Sequence, residues 1–173
     1  MKAHTLIGLA AVTALGSAAT ADFTYSFDVD ASAFQFELQN EGPLEGFLES
    51  VGGNFFMVEG AGNTWADDLT VLIADESLTN IYVQIGGYSD IGAEYRYLWP
   101  QGASGLPFTQ GGGYIEGINL DVTGYYVYIG NGYMGGGPAF WTGEIDLRGS
   151  VVPAPGALAV LGFAGLAGRR RRA

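Results

Sequence analysis

The chain has 173 residues, with 18 acidic side chains against seven basic ones and a formal net charge of −11. It has no cysteine, which excludes disulfides, Cys/His zinc sites and c-type haem attachment. Its one histidine is His4, beside the N-terminus, so catalytic systems built on an imidazole have nothing to draw on in the rest of the chain.

Met1, Lys2, Ala3 and His4 form a short basic head, followed by an apolar run over residues 6–15 and then small residues. This is the three-part layout of a secretory signal helix over residues 1–21, with an A-x-A-like cleavage site at Ala19 and Ala21, before Asp22. Signal peptidase is the expected processing partner. The apolar run is too short to span a bilayer, which takes roughly 20 residues. All 18 acidic residues lie within residues 22–150, against only Arg96 and Arg148, so this domain carries −16. That charge repels nucleic acid and anionic lipid, favours cations and supports solubility.

Within residues 22–150 the apolar period is two. Phe23, Tyr25, Phe27 and Val29 alternate with polar residues, as do Phe34, Phe36 and Leu38. Extended runs follow at 55–58, 69–73, 81–85, 95–99, 118–122, 125–129 and 141–147. Turn signals between them are Glu41-Gly42-Pro43, Gly52-Gly53-Asn54, Gly60-Ala61-Gly62-Asn63, Gly86-Gly87, Gly111-Gly112-Gly113 and Gly135-Gly136-Gly137-Pro138. No stretch has a helical face, and no repeat points to a propeller or β-helix. The expected fold is all-β, a jelly-roll-like antiparallel β-sandwich of about eight to ten strands. Trp65 and Trp141 are assigned to its core.

Residues 151–173 change character. Val151, Val152, Pro153, Ala154, Pro155 and Gly156 cannot extend a strand. An apolar segment at 157–167 follows, then Arg169, Arg170, Arg171 and Arg172. As a helix the apolar segment covers only about half of a ~30 Å hydrocarbon core, and the arginines favour the cytoplasmic side. The stretch VPAPGALAVLGFAGLAGRRRR resembles a PEP-CTERM sorting signal: a short Pro motif, an apolar sorting helix and a basic cluster. The family's usual motif is Val-Pro-Glu-Pro, and Ala154 stands at the glutamate position. The resemblance implies processing near Val152, Pro153, Ala154 and Pro155 by an exosortase-type enzyme. It also implies transient insertion in the inner membrane, delivery to the cell envelope or beyond, and a link with exopolysaccharide.

A second resemblance covers about a third of the domain. Asn63-Thr64-Trp65-Ala66-Asp67-Asp68-Leu69-Thr70-Val71-Leu72-Ile73 is similar to the core of proprotein-convertase P domains, and Phe140-Trp141-Thr142-Gly143 to their closing pattern. The family's Pro-x-Gly-Thr turn is replaced here by residues 74–79. The resemblance implies a jelly-roll fold, not proteolysis.

Lys2 is the only lysine, which removes a Ser–Lys pair, and the glycine runs lack the spacing of a phosphate loop. Two carboxylates in a cleft could hydrolyse glycosides. Hard oxygen ligands suit calcium, with Asp67 and Asp68 as the first candidates and Asp75 and Asp90 in neighbouring loops; no other cofactor is expected. Trp99, Tyr88, Tyr95, Tyr97, Tyr114, Tyr126, Tyr128 and Tyr133 offer rings for an exposed platform or for cross-strand pairing. The leading expectation is a non-enzymatic envelope or matrix protein contacting exopolysaccharide or surface proteins. The alternatives are a carbohydrate-active enzyme with paired carboxylates and an accessory module of a separate protease.

Overall fold

Period-two patterning becomes nine strands in the computed structural model, which describes residues 19–31 and 33–151. They are β1 Ala19–Ala31, β2 Phe36–Leu38, β3 Phe47–Gly60, β4 Leu69–Ala74, β5 Ile81–Gly86, β6 Tyr95–Tyr97, β7 Thr109–Asp121, β8 Tyr126–Asn131 and β9 Ala139–Val151. Among the described residues the only helical element is a 3-10 turn at Ala66–Asp68. Of the expected signal helix over residues 1–21, residues 1–18 lie outside the described residues, and Ala19, Thr20 and Ala21 open strand β1 instead of closing a helix. The sorting tail lies outside the described residues as well, with Val152, Pro153, Ala154, Pro155 and Arg169, Arg170, Arg171 and Arg172. Strand β1 begins at Ala19, so a cut before Asp22 would leave the pairs Asp22↔Arg148 through Ala31↔Ala139 in place.

The strands form two sheets, ordered β1-β9-β3-β7 and β2-β8-β4-β5-β6. Pairing is nested. β1 pairs β9, β2 pairs β8, β3 pairs β7 and β4 pairs β5, all antiparallel. The chain is thus one long hairpin centred on the β4–β5 turn, and its successive strand pairs fall alternately into the two sheets. The pairs β3–β9 and β4–β8 complete each sheet. The short β6 lies beside β5 in parallel, the one departure from antiparallel pairing among these strands.

Alternation sends every second residue inward. Val29, Val51, Phe55, Met57, Trp141, Ile145 and Leu147 from one sheet share a buried cluster with Val71, Ile73, Val83, Ile85, Val127 and Ile129 from the other. Each such side chain contributes ~1.5–3 kcal/mol when fully buried. Strand β4 is buried on both faces, because Leu72 and Ala74 meet Tyr128 on its reverse side under Phe36, Leu78, Ile81, Ile91 and Tyr126. That double burial is why its sequence is a continuous apolar run.

Two glycine runs expected as turns lie inside strands. Gly53 faces Gly113, Asn54 faces Gly112 and Phe55 faces Gly111 across β3 and β7. The reason is space for two rings. Phe55 and Trp99 meet edge to face with centroids 5.5 Å apart. A Cβ on Gly111 would stand 2.4 Å from the Phe55 ring, and one on Gly53 would stand 3.0 Å from Trp99. Here glycine marks close approach of bulky neighbours, not a reversal of the chain.

In the β6–β7 connection Phe108 has φ +59 with its side chain 73% exposed. A left-handed backbone costs a residue with a Cβ ~1–2 kcal/mol, and glycine escapes that cost at some entropic expense. Phe108→Gly is therefore expected to stabilise the protein by about 0.5–1 kcal/mol in urea denaturation. A loss of stability would mean that the ring makes a contact worth more than the strain.

Candidate functional site

Four connections converge at the end of the sandwich where β4 begins: 61–68, 87–94, 98–108 and 132–138. Backbone bonds tie them together. Ala61 N–H donates to the Pro138 carbonyl (3.0 Å), Ala66 to Ser104 (3.0 Å), Asp67 to Gly102 (3.1 Å), Gly87 to Asp67 (2.9 Å) and Gly132 to Asp68 (3.0 Å). The buried indoles brace the same segment from below. Trp141 Nε1–H donates to the Ala66 carbonyl at 3.1 Å, and Trp99 Nε1–H to the Leu69 carbonyl at 2.7 Å.

Beneath these loops lie Thr64, Asp68, Thr70, Gln84 and Asn131, the buried polar side chains among the described residues. Each has partners. Thr64 Oγ1–H donates to the Gly137 carbonyl, Thr70 Oγ1–H to the Asp68 carbonyl and Asn131 Nδ2–H to the Gly137 carbonyl. Gln84 Nε2–H donates to the carbonyls of Gly86 and Ser89, while its Oε1 accepts from Ile91 N–H. A fully satisfied buried network makes loops rigid, because breaking any member strands a polar group.

Asp68 is the hub. It is 3% exposed, and its carboxylate accepts Trp65 N–H on Oδ2 at 2.7 Å and Tyr88 N–H on Oδ1 at 3.2 Å. One carboxylate thus fixes the backbone of two residues from different loops. Burial pushes its pKa up to about 6, against the two N–H bonds and with help from neighbouring Asp67. Burial also raises Asp67. Arg96 donates Nη2–H to the carbonyls of Gly87 (3.0 Å) and Tyr88 (2.7 Å).

Two rings on these loops, Tyr88 and Trp65, face solvent, and Tyr133 is half-buried. Tyr88 is 75% exposed and meets Tyr133 edge to face at 5.4 Å and 78°, forming a corner. Trp65 is 48% exposed, and its indole lies so close to Gly105 that a Cβ there would be 3.1 Å from it. Met134, also exposed, is held through its N–H on Ser89 Oγ at 3.0 Å.

One of the two tryptophans assigned to the core lies at the surface, and the one left open is buried. Trp65 was expected in the core and stands at the surface, because it precedes the 3-10 turn and lies in no strand. Trp99, expected among possible platform rings, is buried against Phe55 with its N–H satisfied. Trp141 is in the core as expected. Tyr128 is buried, and its hydroxyl donates to the Glu76 carbonyl at 2.8 Å. Tyr82, Tyr95 and Tyr125 pair across strands, and Tyr114 lies under Arg148 at 5.4 Å.

Asp67 and Asp68, the calcium candidates, are adjacent, but the groups facing Asp68 are N–H donors, which fit a carboxylate that locks a turn and do not fit a cation site. Asp75 lies at the opposite end of β4, where Ser77, Thr79 and Asn80 donate to it and hold its carboxyl below the usual range. Asp90 accepts Gly92 N–H. Among the described residues no three His, Cys, Asp or Glu gather as a metal-binding group. Millimolar calcium is expected to leave the melting temperature unchanged; a rise of several degrees would place a cation at Asp67 and Asp68.

No protein-family model matches the chain, and no curated protein matches it. Among solved structures, a chain of the Bacillus endospore appendages, which form a novel family of disulfide-linked pili, is similar over 86% of this chain and 100% of its own length, at 10% identity and a TM-score of 0.37. At that TM-score the likeness carries no argument, and this chain has no cysteine for such a link. No helix among the described residues is long and apolar enough to cross a membrane.

Proposed function

We propose that this chain is an exported, non-enzymatic protein of the cell envelope or extracellular matrix, and that it uses the loop end of a jelly-roll sandwich to contact polysaccharide. The observation that carries the reading is the pair of exposed Tyr88 and half-buried Tyr133, together with exposed Trp65, whose backbone shares the Asp68 carboxylate with that of Tyr88, built on a fully bonded buried polar base. Exposed large rings on a rigid frame present flat apolar faces at little entropic cost, and the C–H faces of sugars stack on such rings. Nested strand pairing alternating between two sheets supports the jelly-roll reading. The chain ends supply the address. Signal peptidase would cut before Asp22; the tail would insert transiently in the inner membrane; an exosortase-type enzyme would cut near Val152, Pro153, Ala154 and Pro155.

Intact mass and cell fractionation test the address. A mass fitting residues 22–153 or thereabouts, outside the inner membrane, is expected; a mass retaining Arg169, Arg170, Arg171 and Arg172 in the inner-membrane fraction would replace sorting by anchoring. A glycan pull-down tests the activity. Retention without release of reducing ends is expected, and release of reducing ends would make the protein a hydrolase.

A further inference from the structure

We propose that Tyr82 and Tyr125 form an oxidative cross-linking site, at which a one-electron oxidant of the peroxide–peroxidase class joins the two rings into a dityrosine brace within one chain, with Tyr95 relaying the oxidation from the surface. The site goes beyond polysaccharide contact and does not depend on it. Composition leaves few ways to staple residues 22–150 covalently. There is no cysteine for a disulfide, and the only lysine, Lys2, lies outside that stretch, which removes a lysine isopeptide bond. All ten tyrosines lie inside it.

Three of them meet. The rings of Tyr82 and Tyr125 are stacked, with centroids 4.8 Å apart and planes 7° from parallel. Tyr95 meets Tyr82 edge to face at 5.4 Å and 83°. The backbone explains the stack. Ala74, the last residue of β4, pairs with Ile81 on one side and Tyr126 on the other. All three belong to the cluster on the reverse side of the sheet. A bulge leaves Tyr82 without a partner on β4, and Tyr125 immediately precedes β8. Both rings pack against the core between the sheets. Ala74 faces the other way, so its side chain does not separate them. A bulge residue is also freer to shift than a paired one, which lets the rings tilt as a bond forms.

Stacking suits phenoxyl coupling, because two such radicals meet face to face before their ring carbons join. Each phenol gives up its O–H hydrogen as one electron and one proton. The radicals bond through the carbons ortho to oxygen. Each of those carbons then passes its hydrogen to its own oxygen, which restores two phenols. Hydrogen peroxide takes up the two electrons and two protons, its O–O bond breaks, and two waters form. Tyr95 is 37% exposed, while Tyr82 and Tyr125 are half-buried. An oxidant too bulky to reach the stack therefore takes an electron from Tyr95, which refills from Tyr82. The Tyr88–Tyr133 pair is an internal control: its centroids are 5.4 Å apart, but its planes stand at 78° and do not face each other.

The test treats the processed protein, dilute enough to stay monomeric, with a plant peroxidase and measured doses of hydrogen peroxide. Dityrosine fluorescence is read in the monomer band, and the joined peptides are mapped by mass spectrometry. The expected product is a monomer lighter by two hydrogens, with Tyr82 joined to Tyr125. Tyr125→Phe keeps the ring but not the phenol, and should cut the intramolecular yield about tenfold. Tyr95→Phe should slow formation about fivefold with the same product. Tyr88→Phe should change neither yield nor rate. The cross-linked monomer should melt about 5 °C or more above the untreated protein, because the bond restricts the unfolded chain across residues 82–125. No dityrosine in the monomer, cross-links between molecules only, or a bond mapped to Tyr88 and Tyr133 would overturn the site. An intramolecular bond that survives Tyr125→Phe would move the coupling off the stacked pair and overturn it too. An unchanged rate in Tyr95→Phe would overturn the relay, and an unchanged or lower melting temperature would overturn the brace.

Discussion

Trp141→Ala is expected to lower stability by about 3–5 kcal/mol, the range for deleting a large buried aromatic. Trp141 is 0% exposed, lies on β9 opposite Val29 of β1 and Met57 of β3, and is among the largest fully buried side chains of the core. Two costs combine. The cavity between the sheets removes packing from both layers, which Met57 across the strand can fill only in part. The Ala66 carbonyl, held at 3.1 Å by Nε1–H, then loses its donor in a buried position. For a domain of this size the loss corresponds to a fall of roughly 10–20 °C in melting temperature. Trp141→Phe separates the two terms: it keeps most of the ring volume but leaves the carbonyl unpaired. If Trp141→Phe matched the wild type within about 0.5 kcal/mol, the hydrogen bond to the 3-10 turn would be contributing nothing. The effect should also be felt at the surface, because Ala66 lies next to Trp65, so loosening that turn frees an exposed ring.

Much of the sandwich was legible because period two is a direct consequence of strand geometry. Val83 and Ile85, or Trp141, Ile145 and Leu147, announce an inward face by their spacing alone, while Ile81 falls on the reverse side past the bulge at Ala74. The run at 69–73 was legible as a strand, and its burial on both faces is what the structure adds. Glycine is where local pattern misleads. In Gly86-Gly87 it does mark a reversal, with φ of +79 and +74. In Gly111-Gly112-Gly113 it makes room for Phe55 and Pro100. The residue type is the same in both, and the partner that needs the space lies about 55 residues away for Phe55, beyond any local pattern. Trp65 misleads for a related reason: outside strands no alternation assigns a side, and the side of Trp99, left open by the sequence, is decided with a carbonyl 30 residues distant.

The site was legible only in part. Asp67 and Asp68 drew notice as acids in a loop, and metal binding was the available chemistry. What the sequence concealed was that Asp68 is turned inward to accept N–H groups from Trp65 and from Tyr88, 20 residues on. One local signal existed, an acid three residues after Trp65, the spacing at which a side chain reaches back to a backbone N–H and closes a turn. The second bond depends on the β4–β5 pairing bringing residue 87 back beside residue 67, and no local window contains it.

That geometry makes the pH dependence of Asp68→Ala the second large expectation. At pH 4 the substitution should cost about 2–4 kcal/mol, because two part-buried N–H groups lose their acceptor at roughly 1–3 kcal/mol each. At pH 8 the cost should be smaller. Burial lifts the carboxyl from 3.8 to about 6, so the folded protein holds this proton more tightly than the unfolded chain does. Its contribution to stability is therefore complete below the unfolded value of 3.8 and is lost as pH rises through about 6. Wild type carries that loss and Asp68→Ala does not, so the two curves approach each other above pH 6. Neighbouring Asp67 adds to the slope by repelling the ionised form. Urea denaturation of both proteins at pH 4 and pH 8 reads the difference. A cost that grew with pH would mean the ionised carboxylate, not the buried acid, is the form the fold prefers, and that the N–H bonds from Trp65 and Tyr88 outweigh desolvation. The loops carrying the aromatic corner would then be held most firmly in alkali rather than in acid.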